Sequence, residues 1–413
     1  MSVRAPPPGE RGRWPLPPLA LYVHVPWCVR KCPYCDFNSH PVRGGEIPER
    51  AYLAALLADL EAEAGGAAGR AAVSVFFGGG TPSLLSAETV AEILAGIART
   101  VGIASGAEVT LEANPGTVDP ARLRELRVAG VNRLSLGVQS FDDRLLERIG
   151  RIHSAREARG AFDQARGVGF ENLNLDLMYG LPGQSPAAAL ADLETALALG
   201  PEHLSHYQLT LEPGTPFHRH PPPLPDEATV AATERVCRAR LTGAGFERYE
   251  VSAFARPGAR CAHNLNYWTF GDYLGVGPGA HGKVTQAGWR GVIRRAKRRH
   301  PQDYLRHAGS RARVAEERTV SSADLAFEFM LNALRLVEGV PAALFPARTG
   351  LDLGAVAAPM AAARGRGLLV EDPARIQATP LGLRFVDDLV AMFLPAARGT
   401  ATATPALAGP ASD

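Results

Sequence analysis

The chain has 413 residues, room for two or three domains, and 46% of them are apolar, enough for substantial cores. Lys+Arg 44 against Asp+Glu 42 leaves a net charge of +2, so no global field points to nucleic acid or a membrane. No apolar run is long enough to span a bilayer, and sparse cysteine without a secretion-signal pattern indicates a reducing, cytoplasmic setting.

In chain order, residues 1–18 are rich in Pro, Arg and Gly and are expected to lack order. Residues 21–26 read as a first strand, followed by a loop holding Cys28, Cys32 and Cys35. A helix is expected over 49–63, then a strand at 73–77 that runs into the glycine-rich segment 78–82. Ser86 is a plausible N-cap for a helix over 88–99. A strand at 108–112 ends at Glu112, and a helix over 120–129 stops at Gly130. Strands at 133–138, 173–179 and 203–211 alternate with helices over 155–168, 186–199 and 226–241. Such alternation implies parallel strands covered by helices. Six units are too few for a closed eight-stranded barrel, so the expected class is α/β, a partial (βα)6 barrel over 19–245.

In parallel barrels the working face lies at the C-terminal strand ends. Glu112, Gln139 and Asp176 fall at or near such ends, beside the cysteine loop and the glycine run. Each alone reads equally as a turn residue; their convergence on one mouth does not. Three thiolates in a Cys-x3-Cys-x2-Cys loop fit an iron–sulfur cluster with one open iron. They also fit three-quarters of a zinc site, which His40 or Asp36 could complete. A disulfide knot fits poorly, because three cysteines leave one unpaired. The glycine run lacks a nucleotide fingerprint, but it can bring backbone close to a small ligand.

The motif Cys28-x3-Cys32-x2-Cys35, with Tyr34 before the last cysteine, resembles the radical S-adenosylmethionine (SAM) superfamily. The segments 22–28, 78–82, 137–141 and 176–182 narrow the resemblance to the oxygen-independent coproporphyrinogen III dehydrogenase family and its haem-chaperone branch, over roughly residues 20–395. The resemblance implies a [4Fe-4S] cluster on the three cysteines, with SAM chelating the fourth iron. Electron transfer to the sulfonium would yield methionine and a 5′-deoxyadenosyl radical. It places Tyr22 and Tyr34 beside cluster and SAM. Gly79, Gly80 and Thr81 would seat the methionine moiety. Glu112, Gln139, Arg151 and Asp176 would surround the SAM carboxylate and ribose.

Two features separate the branches. The dehydrogenases carry a further cysteine two residues after the third; here Phe37 stands there. The sequence also contains His263-Asn264-Leu265-Asn266-Tyr267-Trp268, a pattern that the resemblance associates with haem. His263 is the implied iron ligand, with Tyr267 and Trp268 as flat faces; His281 is an unassigned second candidate. The expected function is therefore a haem chaperone that hands haem to respiratory or membrane proteins. The alternative is the dehydrogenase. The resemblance makes a homodimer plausible.

The basic run Arg290, Arg294, Arg295, Lys297, Arg298 and Arg299 could meet phosphates, haem propionates or an anionic membrane surface, or form a solvated face. It lacks the interleaved aromatics of an RNA platform, so no nucleic acid is expected. Residues 246–319 form an extension carrying the histidine motif. Residues 320–395 are expected to be a mostly helical, winged-helix-like domain with a hairpin near 367–382 and a helix over 383–393, covering one side of the mouth. Residues 396–413 are expected to lack order.

Overall fold

In the computed structural model the apolar strand segments pair into one twelve-stranded sheet. Residues 16–42, 46–288 and 291–395 are described. The terminal stretches 1–15 and 396–413, expected to lack order, lie outside them, as does Arg290.

Six parallel strands form the heart of the sheet: β1 (Leu19–Val25), β2 (Ala72–Gly79), β3 (Ile103–Ala113), β4 (Arg133–Gln139), β5 (Leu173–Tyr179) and β6 (His203–Gln208). On β1, Leu19, Leu21, Val23 and Val25 are fully buried on one face, while Tyr22 and His24 alternate with them on the other. Helices connect the strands: α1 (Glu49–Glu63), α2 (Ala87–Thr100), α3 (Pro120–Ala129), α4 (Asp143–Arg148), α5 (Ala155–Gly167), α6 (Pro186–Leu199) and α7 (Glu227–Gly243). The local signals act as expected. Ser86 accepts the Thr89 amide at the start of α2, and Gly130 closes α3 at φ 114°. The third strand begins five residues earlier than the pattern indicated, and the sixth stops at Gln208.

The extension beyond residue 245 is not a separate layer. β7 (Glu247–Arg248) and β8 (Ala253–Ala255) pair antiparallel along the β6 edge. After α8 (Ala262–Trp268), β9 (Asp272–Val276) pairs in parallel with β1. β10 (His281–Thr285), β11 (Val292–Lys297) and β12 (Val314–Thr319) then extend that side antiparallel. The sheet order is β12-β11-β10-β9-β1-β2-β3-β4-β5-β6-β8-β7, so it stays open.

From Arg294 to Arg299 the basic run lies on and just beyond β11, and most of these residues are internally paired. Lys297 is buried between Asp59 (2.6 Å) and Glu63 (2.5 Å) of α1, where Arg313 and the Tyr304 hydroxyl also reach Asp59. Arg294 pairs with Glu328, and Arg295 with Glu63 and Glu317. A buried charge needs such partners. This network fastens α1 to the hairpin that brings residues 275–282 to the strand ends.

Residues 320–395 are mostly helical, as expected. Their apolar side chains form a second core with Tyr249, Phe270 and Val292. The hairpin is smaller than expected: Leu369 and Ala378 share one bridge, and Arg375–Ile376 pairs with Val340–Pro341. The last helix divides into Pro380–Arg384 and Val386–Ala391. This unit packs on the extension and contributes no lining residue to either cavity described below, so it does not cover the mouth.

Candidate cofactor site and its neighbouring cavity

The cysteine loop is clipped at its base. Trp27 and Cys28 pair in parallel with His40 and Pro41, and the Val42 amide donates to the Cys28 carbonyl at 2.9 Å. A turn from Cys32 to Cys35 (3.2 Å) sets the spacing of the last two cysteines. Asn38 ties the loop to the hairpin, donating to the Pro278 and Arg299 carbonyls at 2.9 and 2.8 Å. His24 of β1 donates through Nε2 to the Asn38 carbonyl (2.9 Å), so its Nδ1 accepts from the Tyr22 hydroxyl (3.0 Å).

Cys28, Cys32 and Cys35 line a cavity of about 320 Å³ at the C-terminal ends of β2 to β6. All five cysteines are free thiols. Among the described residues no three His, Cys, Asp or Glu side chains group around a single metal ion. The three cysteines line open space with room for a polynuclear cluster. Burial pushes the Cys28 and Cys35 thiols up, so their thiolates need positive charge nearby. One cation is already placed: Arg151 reaches Cys32 Sγ through Nη1 at 3.6 Å and the Gly137 carbonyl through Nη2 at 2.5 Å. Its Nε is buried without a partner, a donor left for an incoming acceptor.

Every residue expected around SAM lines this cavity except Tyr22: Tyr34, Gly79, Gly80, Thr81, Glu112, Gln139, Arg151 and Asp176 are all present. Tyr22 lines the neighbouring cavity instead, which shares Gly79 and Glu112 with this one. The glycine run has its amides already occupied. The Gly79 amide donates to Glu112 Oε2 (3.1 Å), Gly80 to the Val25 carbonyl and Thr81 to the Trp27 carbonyl (both 2.7 Å). A ligand amine therefore meets carbonyl oxygens or the Thr81 hydroxyl there. Glycine is needed at 79 and 80. Gly79 sits at φ 113°, and a Cβ would lie 2.5 Å from the His24 ring; at Gly80 it would lie 2.5 Å from the Trp27 carbonyl oxygen.

Two carboxylates sit deep in the mouth. Burial, then Asp176, pushes Glu112 up to about 8. Burial also raises Asp176, although Asn174 (2.8 Å) and Ser135 (3.2 Å) donate to it. Gln139 holds φ 71°, uncommon for a residue with a side chain, and its Oε1 accepts from the Tyr207 hydroxyl at 2.9 Å. Tyr207, Ser135, Asn114 and Arg30 also line the cavity and were not singled out from the sequence. Tyr207 stands at the end of a strand, the one signal that could have found it.

The histidine motif is split three ways. His263 is 2% exposed and hydrogen-bonds Ser74 Oγ through Nδ1 (3.0 Å) and the Tyr267 hydroxyl through Nε2 (3.1 Å). Its ring stacks on Phe76 at 4.9 Å. Both nitrogens are committed, so the expected iron ligand is not presented to a ligand. Cys261, beside it, is buried against Glu108. Trp268 lies under Arg335, 4.4 Å from its ring centre, and packs against the C-terminal core. Only Tyr267 reaches open space, a second cavity of about 410 Å³. Phe37, Gly79 and Glu112 line both cavities, so the two are neighbours.

The comparisons with known proteins agree with this geometry. Residues 22–196 match the radical SAM superfamily model, and residues 320–385 match the HemN C-terminal domain model. Fold and site thus define a radical SAM protein. A solved structure of Escherichia coli coproporphyrinogen III oxidase (HemN) superposes with a TM-score of 0.78, covering 93% of this chain and 92% of that one at 23% identity, a likeness of fold. Heme chaperone HemW of Escherichia coli K12 is 47% identical over 92% of this chain and 99% of its own length. HemW of Haemophilus influenzae is 45% identical over 92% and 98%. Radical S-adenosyl methionine domain-containing protein 1, mitochondrial, of Bos taurus is 38% identical over 91% and 87%. The chain belongs to the HemW family.

Proposed function

We propose that this protein is a haem chaperone: it binds haem beside a cluster–SAM site and passes it to haem-requiring proteins. The observation that carries this reading is Phe37. It occupies the place of the dehydrogenases' extra cysteine, is 59% exposed, and lines both cavities. An apolar ring between a cofactor site and an open aromatic cavity suits a tetrapyrrole. Near full-length similarity to proteins named heme chaperone supports it.

Cys28, Cys32 and Cys35 would hold a [4Fe-4S] cluster, and Arg151 would balance its charge and meet the SAM carboxylate through its free Nε. When bound, the cluster supplies one electron to the sulfonium of SAM. Carbonyls of the Gly79–Gly80 turn and Thr81 would seat the amine, and Glu112, Gln139 and Asp176 would orient the ribose. Haem-requiring respiratory or membrane proteins are the proposed recipients, with a homodimer and contact with a membrane surface as parts of the same reading. Five unpaired thiols support a reducing cytoplasmic setting. No helix among the described residues is long and apolar enough to cross a membrane.

The test is anaerobic: cluster-reconstituted protein is titrated with haem, and separately incubated with coproporphyrinogen III, SAM and a reductant. Haem uptake without decarboxylation is expected. Decarboxylation without haem uptake would make this protein the dehydrogenase instead.

A further inference from the structure

Resting on the chaperone reading, we propose that the second cavity is the haem seat, with the His281 imidazole as axial iron ligand and the Arg299 guanidinium as partner of a propionate. A flat apolar ring with two carboxylates and an iron needs three things: aromatic walls, a cation at the rim and one imidazole with a free nitrogen. Tyr267 and Tyr273 meet edge to face at 4.5 Å, and with Tyr22 and exposed Phe37 they supply the walls.

Three histidines surround this region, and they differ in freedom. His263 has both nitrogens bonded and no room. His24 lines the cavity, but it is held between the Tyr22 hydroxyl and the Asn38 carbonyl. His281 opens β10 on the cavity wall, is exposed, and its ring makes no hydrogen bond among the described residues.

Arg299 contrasts in the same way with its basic neighbours. Arg294, Arg295 and Lys297 are ion-paired, and Arg298 donates to the Ala312 carbonyl. The Arg299 side chain lines the cavity with no ion pair among the described residues, although its carbonyl anchors Asn38 of the cysteine loop. The hairpin therefore brings one free ligand and one free cation to a cavity that shares Gly79 and Glu112 with the cofactor site.

Cluster-loaded full-length protein is titrated anaerobically with haem, followed by absorption and electron paramagnetic resonance. For His281→Ala we expect at least about tenfold weaker binding and a changed ligand-field signature, both partly restored by added imidazole. Arg299→Ala is expected to weaken binding several-fold while leaving the ligand signature intact. His263→Ala is expected to keep the wild-type haem spectrum. If wild-type protein binds haem and His281→Ala matches it in affinity and spectrum, the seat is wrong while the chaperone reading stands. If wild-type protein takes up no haem, the chaperone reading itself fails, and the seat with it. Circular dichroism of each variant, and intact cluster absorption, separate loss of the ligand from loss of the fold.

Discussion

The cysteine loop and the 262–268 helix carry equally legible motifs, yet the fold treats them in opposite ways. The loop is clipped at its base and projects its thiols into open space, beside residues from five different strands. The helix turns its histidine inward, where Ser74, Tyr267 and Phe76 satisfy and enclose it. A loop beyond the end of a strand has no neighbour above it, whereas a helix laid on a sheet buries whichever residues face the sheet. The first motif therefore displays ligands, and the second supplies packing with one tyrosine reaching the neighbouring cavity.

This contrast can be broken or sharpened. The largest effect is expected at the loop: Cys32→Ser should abolish cluster retention, read as loss of iron and of visible absorption after anaerobic purification. Partial retention of a cluster would mean the sulfur trio is not the sole anchor. Next comes His263→Ala, which removes a stacked, doubly bonded buried ring. It should lower unfolding stability by about 3 kcal/mol in urea titrations while iron content stays normal. A stability unchanged by that substitution would show the ring to be less confined than its contacts imply.

Gly79→Ala joins the two regions, because the added methyl meets His24 at a left-handed backbone position. We expect about 2 kcal/mol of destabilisation together with weaker SAM binding by calorimetry. The smallest effect concerns Glu112. Its folded pKa of about 8 lies above the ordinary carboxylate value, so the folded state holds a proton that the unfolded chain releases. Stability from this group is full at acid pH, declines above the ordinary carboxylate range, and is fully lost once pH passes about 8. Glu112→Gln should flatten that decline in urea midpoints measured across the window. An unaltered slope would place the proton elsewhere, Asp176 being the nearest alternative.

Much of this was readable beforehand. The loop of Cys28, Cys32 and Cys35, the glycines at 79 and 80, and Glu112, Gln139 and Asp176 all stood at, near or just beyond strand ends, and the chain-order alternation already put those ends together. Tyr22 lines the neighbouring cavity, and no pattern within β1 records how the mouth divides into two. The basic run looked like a surface, but Asp59 and Glu63 of a distant helix bury Lys297. Tyr207 carried no motif at all.

What the sequence alone determined was local and periodic: the alternating strands and helices, their caps, and the spacing of three sulfur ligands within a dozen residues. Only the tertiary structure decided which histidine is satisfied and which is free. That choice depends on contacts between residues as far apart as Ser74 and His263, or Asn38 and Arg299, and no pattern within one segment records them. Hydrogen-bonding capacity is a property of the side chain, but whether it is already filled is a property of the fold.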